Sequence, residues 1–239
     1  TISLSNTFST DAKETRAHDK DMSNEVGLTL GYKVSDSVKL SLSTSYNKDL
    51  KGEREGKIND QSLSVSKSFE ELNKFLSSSI SSAVKIPLSE RSRVSASLQT
   101  ALRLSGSVTY DASEHLTNGL SFTYAPSISK NFHEYRVTTS GTANTEYVLS
   151  NSLSASYSIT DSISAGLSAS YSRNFDYTGH TQDIFGLNQS LTAALPQNLS
   201  LSVSHATGGD ALAVNGRDSN IDLYDKDLST YSLTISLSY

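Results

Sequence analysis

The chain has 239 residues, no cysteine and a formal net charge of -5. This removes disulfide frameworks, thiolate metal sites and cysteine nucleophiles, and it leaves no basic footprint for nucleic acid. With 36% hydrophobic residues and a mean hydropathy of -0.35, no stretch approaches the roughly 20 apolar residues that a membrane-spanning helix needs.

Apolar residues recur at every second position almost end to end, the period at which strand side chains alternate between two faces. In chain order the apolar phase runs through Ile2, Leu4 and Phe8, then Met22 to Val34, Val38 to Tyr46, Leu63 to Phe69 and Leu76 to Ile86. It continues from Val94 through Ala96 to Tyr110, then Leu120 to Phe132, Tyr147 to Tyr157 and Ile163 to Phe175. Phe185 to Leu195, Leu199 to Val203 and Tyr231 to Tyr239 complete the set. About twelve antiparallel strands in a single domain, 1-239, are predicted. Thr1 opens directly into this alternation, with no charged n-region or apolar h-region, so a secretion signal is expected to have been removed already.

The predicted connections alternate in length, as an up-and-down barrel requires. Short ones fall near Ser35 to Ser37, Glu70 to Lys74, Asp111 to His115, Thr160 to Ser162 and Pro196 to Asn198. Longer ones lie near Lys13 to Asp21, Asp49 to Lys57, His133 to Thr145 and Gly208 to Asp227, with tighter ones near Ser89 to Ser92 and Thr178 to Gln182. An even strand count puts both termini at the short-turn rim. The Gly208 to Asp227 loop is long enough to fold inward and constrict the opposite mouth. Pro126 falls within a strand that a closed wall leaves without a free edge, so a bulge or bend is expected there.

An internal repeat supports this register. Tyr32 to Tyr46 reads YKVSDSVKLSLSTSY, Tyr110 to Tyr124 reads YDASEHLTNGLSFTY, and Tyr157 to Tyr171 reads YSITDSISAGLSASY. Each unit places an acidic turn between an incoming aromatic and a Leu-Ser-x-Ser/Thr-Tyr strand, so the repeated element is a β-hairpin.

The last residues, Tyr231-Ser-Leu-Thr-Ile-Ser-Leu-Ser-Tyr239, end on an aromatic with Leu233, Ile235 and Leu237 at every second position before it. This resembles the C-terminal signal by which bacterial outer-membrane β-barrels are recognised for insertion. The resemblance implies an all-β fold, a closed antiparallel up-and-down transmembrane barrel with short periplasmic turns and longer extracellular loops. It further implies a Gram-negative outer-membrane location with periplasmic termini, and contact with outer-membrane lipid, lipopolysaccharide and the barrel-assembly machinery. A serine-rich soluble sandwich or solenoid competes with it; a solenoid would repeat its turns more uniformly.

With the apolar phase taken as lipid-facing, the opposite phase reads Ser77, Ser79, Ser81, then Ser121, Thr123, Ser127, Ser129, and later Ser200, Ser202, Ser204. Short hydroxyl side chains leave polar space that water must fill. The expected function is passive diffusion of small hydrophilic solutes or ions. The alternative is a non-conducting structural or adhesive barrel that presents its outer loops. Candidate pore-lining residues are Lys85, Arg93, Gln99, Arg103, Glu146, Asp176 and Asp183, with Arg103 deepest. Twelve-stranded channels for acidic sugars carry basic-rich lumens, and this sequence departs from them. Lys48, Lys130 and Arg173 sit on the lipid-facing phase near the long-loop rim, where they are expected to reach lipopolysaccharide phosphates.

An outer-membrane lipid-modifying enzyme is a lesser alternative. None of His18, His115, His133, His180 and His205 stands in the His-x-Ser pattern of a barrel phospholipase family, so no catalytic residue is expected. Asp218, Asp222, Asp225 and Asp227 lack the ordered spacing of a calcium loop, so neither a metal nor another cofactor is expected.

Overall fold

The computed structural model describes residues 1–13, 20–51, 54–73, 75–213 and 216–239, of which 70–73 are described by backbone alone. His18, Lys74 and parts of the predicted Lys13 to Asp21, Asp49 to Lys57 and Gly208 to Asp227 loops lie outside the described residues. The strands are β1 (Ile2–Asp11), β2 (Met22–Lys33), β3 (Val38–Asp49), a short β4 (Gly56–Ile58), β5 (Gln61–Asn73), β6 (Leu76–Ile86) and β7 (Leu98–Asp111). There follow β8 (Leu120–His133), β9 (Thr145–Thr160), β10 (Ile163–Asp176), β11 (Thr181–Leu195), β12 (Leu199–Asp210) and β13 (Ser229–Ser238).

Each long strand pairs antiparallel with its neighbour in sequence, and β1 pairs with β13, which closes the sheet into a twelve-stranded barrel. Reciprocal backbone bonds between Ile2 and Tyr239, 2.7 and 2.8 Å, fasten the seam. Among the described residues, the extra strand β4 pairs only with the outer end of β3. Short connections (34–37, 112–119, 161–162 and 196–198) share one rim with both termini. Those at 50–60, 87–97, 134–144 and 211–228 occupy the other rim. The three repeat units coincide with the β2–β3, β7–β8 and β9–β10 hairpins.

Burial is inverted relative to a water-soluble protein. The buried apolar set among the described residues is Leu98, Ala101, Ala112, Phe185 and Ala211, whereas Leu153, Leu167, Val203 and Ile235 are each more than half exposed. Such an apolar exterior is stable only against hydrocarbon, where a closed barrel leaves no backbone group unpaired at an edge. Aromatic residues mark both ends of this wall. Tyr32, Phe69, Tyr110 and Tyr157 lie toward the short-turn rim, and Tyr46, Phe132, Tyr147 and Tyr231 toward the long-loop rim, as the headgroup level favours.

Two expectations are corrected. Val94 and Ala96 belong to no strand: Arg91–Ser95 forms a π-helical turn, and β7 begins only at Leu98. Pro126 marks no bulge. Its pairing with β9 continues through Pro126↔Asn151, and the β7 register is the same on either side of a short gap between Ser105↔Ser127 and Val108↔Tyr124. The gap follows from chemistry, because Pro126 has no N–H to donate across the ladder to Gly106. Pro126→Val should therefore create a new amide protected from deuterium exchange like its strand neighbours. Exchange at the rate of loop amides would refute this account.

Candidate channel lumen

Side chains on the inward phase meet as hydroxyl pairs across the strands. Ser3 and Ser238, Thr7 and Thr234, and Ser9 and Ser232 stand 2.7 to 2.9 Å apart across the β1–β13 seam. Ser79 with Ser107, Ser81 with Ser105, and Thr109 with Thr123 each stand at 2.8 Å along β6 to β8. The alternation produces this directly, since residues opposite each other on an antiparallel ladder share a face.

Inside the wall, a cavity of about 350 Å³ is lined by Ser62, Ala83, Lys85, Ala101, Arg103, Ser127, Ser129, Asn131, Val148, Ser150 and Ser172. Lys85 and Arg103 approach it from neighbouring strands at positions two residues apart in register, on the same face, Lys85↔Ala101 and Ala83↔Arg103. The Arg103 guanidinium donates to Ser127 Oγ at 3.0 Å. Nearer the short-turn rim, Lys33 and Lys39 stand directly opposite each other on β2 and β3, on the phase opposite Tyr32 and Val38. Like charges so placed repel, and they add to a cationic interior. Glu25, on the same inward phase, accepts from Asn59 Nδ2 at 3.2 Å. Lys33, Lys39 and Glu25 were missed as candidates, although counting parity from Val26 and Val38 marks all three.

Whole-chain comparison then gives the fold. The structure is similar to the NanC porin, with a TM-score of 0.62 and 14% identity over 100% of both chains. It is also similar to an outer-membrane channel from Pseudomonas putida F1, at 0.66 and 12% identity over 100% of this chain and 94% of that one. The KdgM porin in complex with disordered oligogalacturonate gives 0.57 and 10% identity over 99% of each chain. This chain has the outer-membrane β-barrel fold. Its sequence matches no protein-family model and no curated relative.

Within this barrel the candidate pore residues do not share one place. Lys85 and Arg103 line the cavity described above. Glu146 does not: β9 shifts register between Tyr147 and Thr145, so Glu146 is the extra residue of a bulge, and its carboxylate bonds Lys130 among the outward rings of Phe132 and Tyr147. A bulge adds one residue and reverses the parity that places a side chain. Asp183 is also outward, opposite Arg173, whose Nε and Nη2 donate to its two oxygens at 2.7 and 2.8 Å. Asp176 caps the β10–β11 turn by accepting from the Thr178 and His180 amides at 2.8 and 2.9 Å. Arg93 lies in the exposed π-helical turn, and Gln99 is the unpaired residue of a bulge between Leu98 and Thr100.

The β6–β7 connection is pinned by a residue that no local pattern singled out. Asp60 accepts from the Leu88 and Ser89 amides at 3.0 and 2.9 Å and from Ser92 Oγ at 2.5 Å, with Lys85 Nζ 3.8 Å away. Burial alone pushes the Asp60 carboxyl up. The hydrogen bonds from Ser92, Ser89 and Leu88 outweigh that and hold it below the ordinary carboxylate value. On the far side of this connection, buried Asn144 donates to the Ala96 and Tyr135 carbonyls at 3.0 and 2.9 Å. The loops over the β6 to β9 rim thus form one braced layer beside the Lys85 end of the cavity.

The Gly208 to Asp227 loop, long enough to reach inward, lies outside the wall at Leu223 and Tyr224. Tyr224 stacks at 6.0 Å on His205, which faces outward beside Tyr231. The buried Thr207 hydroxyl donates to the Leu223 carbonyl at 3.1 Å and pairs with Ser229 Oγ at 2.8 Å. These contacts clamp Leu223 and Tyr224 against the outside of the wall. They also bury Thr207 Oγ1, 3.5 Å from His205 Nε2.

Proposed function

We propose that this chain is an outer-membrane channel through which small hydrophilic solutes or ions diffuse passively along the hydroxyl-bearing inward face. The carrying observation is the hydroxyl- and amide-lined cavity holding Lys85 and Arg103 inside a closed wall. Polar groups of this density demand water inside the barrel. Two cavity cations set among serines support a weak anion preference, rather than the continuous basic track suited to an acidic polymer such as the oligogalacturonate found with KdgM. The apolar outward phase and its aromatic girdles support embedding in lipid, with the short-turn rim and both termini toward the periplasm and β13 read by the barrel-assembly machinery. Lys48, exposed opposite Gly56, is placed to meet lipopolysaccharide phosphates, as are Lys130 and Arg173 through one side of their ion pairs.

Planar-bilayer recording of the refolded barrel tests the channel directly. Stable ohmic steps are expected. Correctly folded, inserted protein that passes no current would overturn the reading.

A further inference from the structure

Two amides interrupt the apolar outward phase near midspan. Asn151 lies between Leu149 and Leu153 on β9, and Gln189 between Leu187 and Leu191 on β11, each close to the middle of its strand. Both are exposed. Asn151 Oδ1 accepts from the Tyr124 hydroxyl at 2.6 Å, while its Nδ2 donates to no partner among the described residues. Gln189 bonds none of them, although His205 stands opposite it in register.

Elsewhere on the outward phase two amides satisfy each other, with Asn6 and Asn24 exchanging bonds of 3.1 and 3.0 Å. Asn151 and Gln189 cannot do so within one barrel, because β10 stands between them, with Tyr171 opposite Asn151 and Leu167 opposite Gln189. Hydrocarbon supplies no acceptor, and the headgroup acceptors begin about 15 Å from the midplane, beyond either side chain. An N–H left unspent there costs free energy. What satisfies these amides is protein with a polar group at the same depth.

We infer that the β9 to β11 face docks a second copy of this chain, about a two-fold axis that runs along the membrane normal in front of β10. The inference rests on the membrane-embedded reading above. Such an axis keeps every residue at its own depth and sets β9 of one copy against β11 of the other. Asn151 Nδ2 then donates to Oε1 of Gln189 of the partner subunit, whose Nε2 returns a bond to the second lone pair of Asn151 Oδ1. Symmetry makes two such pairs.

The depths of the two amides agree. From Thr7, in the middle of β1, the register passes through Thr234, Ser202, Thr192 and Ser164 to Ser158 beside a short turn. In the opposite sense, from β9 to β11, it climbs toward the long-loop rim. From Asn151 it passes through Tyr171 to Phe185, and Gln189 lies back down β11 from there. With strands about 4.8 Å apart and tilted about 40°, the climb of about 6 Å and the descent of about 10 Å leave the amides within about 4 Å in depth. Ala165 and Ala169 flank Leu167 on β10, which keeps the centre of the face shallow enough for two walls to approach. Three strands across an apolar band about 25 Å tall give about 350 Å² of contact. That is well under the about 800 Å² per partner of a standard stable complex, so the pair is reversible and the amides decide its strength.

The chain has no cysteine, so Leu167→Cys places a single thiol at the axis and Leu42→Cys a single thiol on the opposite wall. The folded variants are reconstituted at low protein density in phosphatidylethanolamine and phosphatidylglycerol vesicles and mildly oxidised. Disulfide-linked dimers from Leu167→Cys are expected at about ten times the yield from Leu42→Cys, since only Cα atoms within about 7 Å of each other are bridged. Asn151→Leu or Gln189→Leu, added to Leu167→Cys, should each lower that yield about ten-fold, because either change breaks both amide pairs. Neither should alter single-channel conductance. Equal yields from the two faces, or a yield that survives both amide substitutions, overturns the inference. Absence of dimers when the Leu167→Cys thiol resists a water-soluble maleimide also overturns it, and leaves the membrane-embedded reading standing. Rapid modification of both thiols by the maleimide overturns that reading and the inference with it.

Discussion

In the proposed channel, Arg103→Glu should turn the weak anion preference into a cation preference. The side chain lines the cavity and is held by one neutral partner, Ser127 Oγ, so its charge is not cancelled locally. Reversing it changes the local charge by two units where a passing ion comes within several ångströms. Even at the dielectric of water that is worth about 1 kcal/mol for each ion, with opposite signs for chloride and potassium, or about a thirty-fold change in their permeability ratio. The reversal potential under a salt gradient reads this out, and the effect should shrink in concentrated salt as the Debye length contracts. An unchanged reversal potential in a conducting variant would show that ions do not pass this side chain. Lys85→Glu should act in the same direction but less strongly, because Asp60 already stands 3.8 Å from its amine.

Asp60→Ala should free the 87–97 connection while leaving the wall intact. Three donors lose a charged acceptor at once: the Leu88 and Ser89 amides and the Ser92 hydroxyl. Hydrogen bonds to a charged group are worth about 1.5 to 3 kcal/mol each, and partial rehydration of an outer loop recovers some of this. A net local loss of about 3 kcal/mol corresponds to deuterium exchange about two orders of magnitude faster at the 88 and 89 amides. Acid should imitate the substitution. Because the Asp60 carboxyl titrates lower in the folded protein than in the unfolded chain, its contribution is fully present above a pH of about 4 and is lost as pH falls through the folded value. Open-channel noise should rise over the same range. Exchange rates that match wild type in the variant, or that stay flat down through this window, would refute the latch.

Both predictions concern residues whose legibility in the sequence differs. Arg103 was legible because alternation with period two assigns a face by counting, and the count runs unbroken through β7 from Thr100 to Asp111. The same rule fails at Glu146, since the bulge that reverses its parity depends on how β9 meets β10. Asp183 shares its parity with Phe185 and Leu187, so careful counting already places it outward, opposite Arg173. Val94 and Ala96 continue the alternation by coincidence within a segment that turns. Asp60 carries no local sign at all, because its partners lie about thirty residues away and are brought to it only when β5 and β6 pair. What alternation encodes is the wall; the mouth is assembled by long-range contacts between loops.

The hydroxyl pairs along the inward face carry a further consequence. In Ser3 with Ser238, Thr7 with Thr234 and Ser79 with Ser107, either oxygen can serve as donor, because a hydroxyl both gives and receives. Each pair is thus a small dipole with two nearly equivalent settings that differ only by rotation about a C–O bond. A lining built of such pairs has high local polarisability without fixed charge. In the proposed channel it would turn its hydrogens toward a passing anion and its lone pairs toward a passing cation. Selection by sign would then fall to the few ionised side chains, and the remainder of the wall would behave as an adaptable solvent shell fastened to the protein.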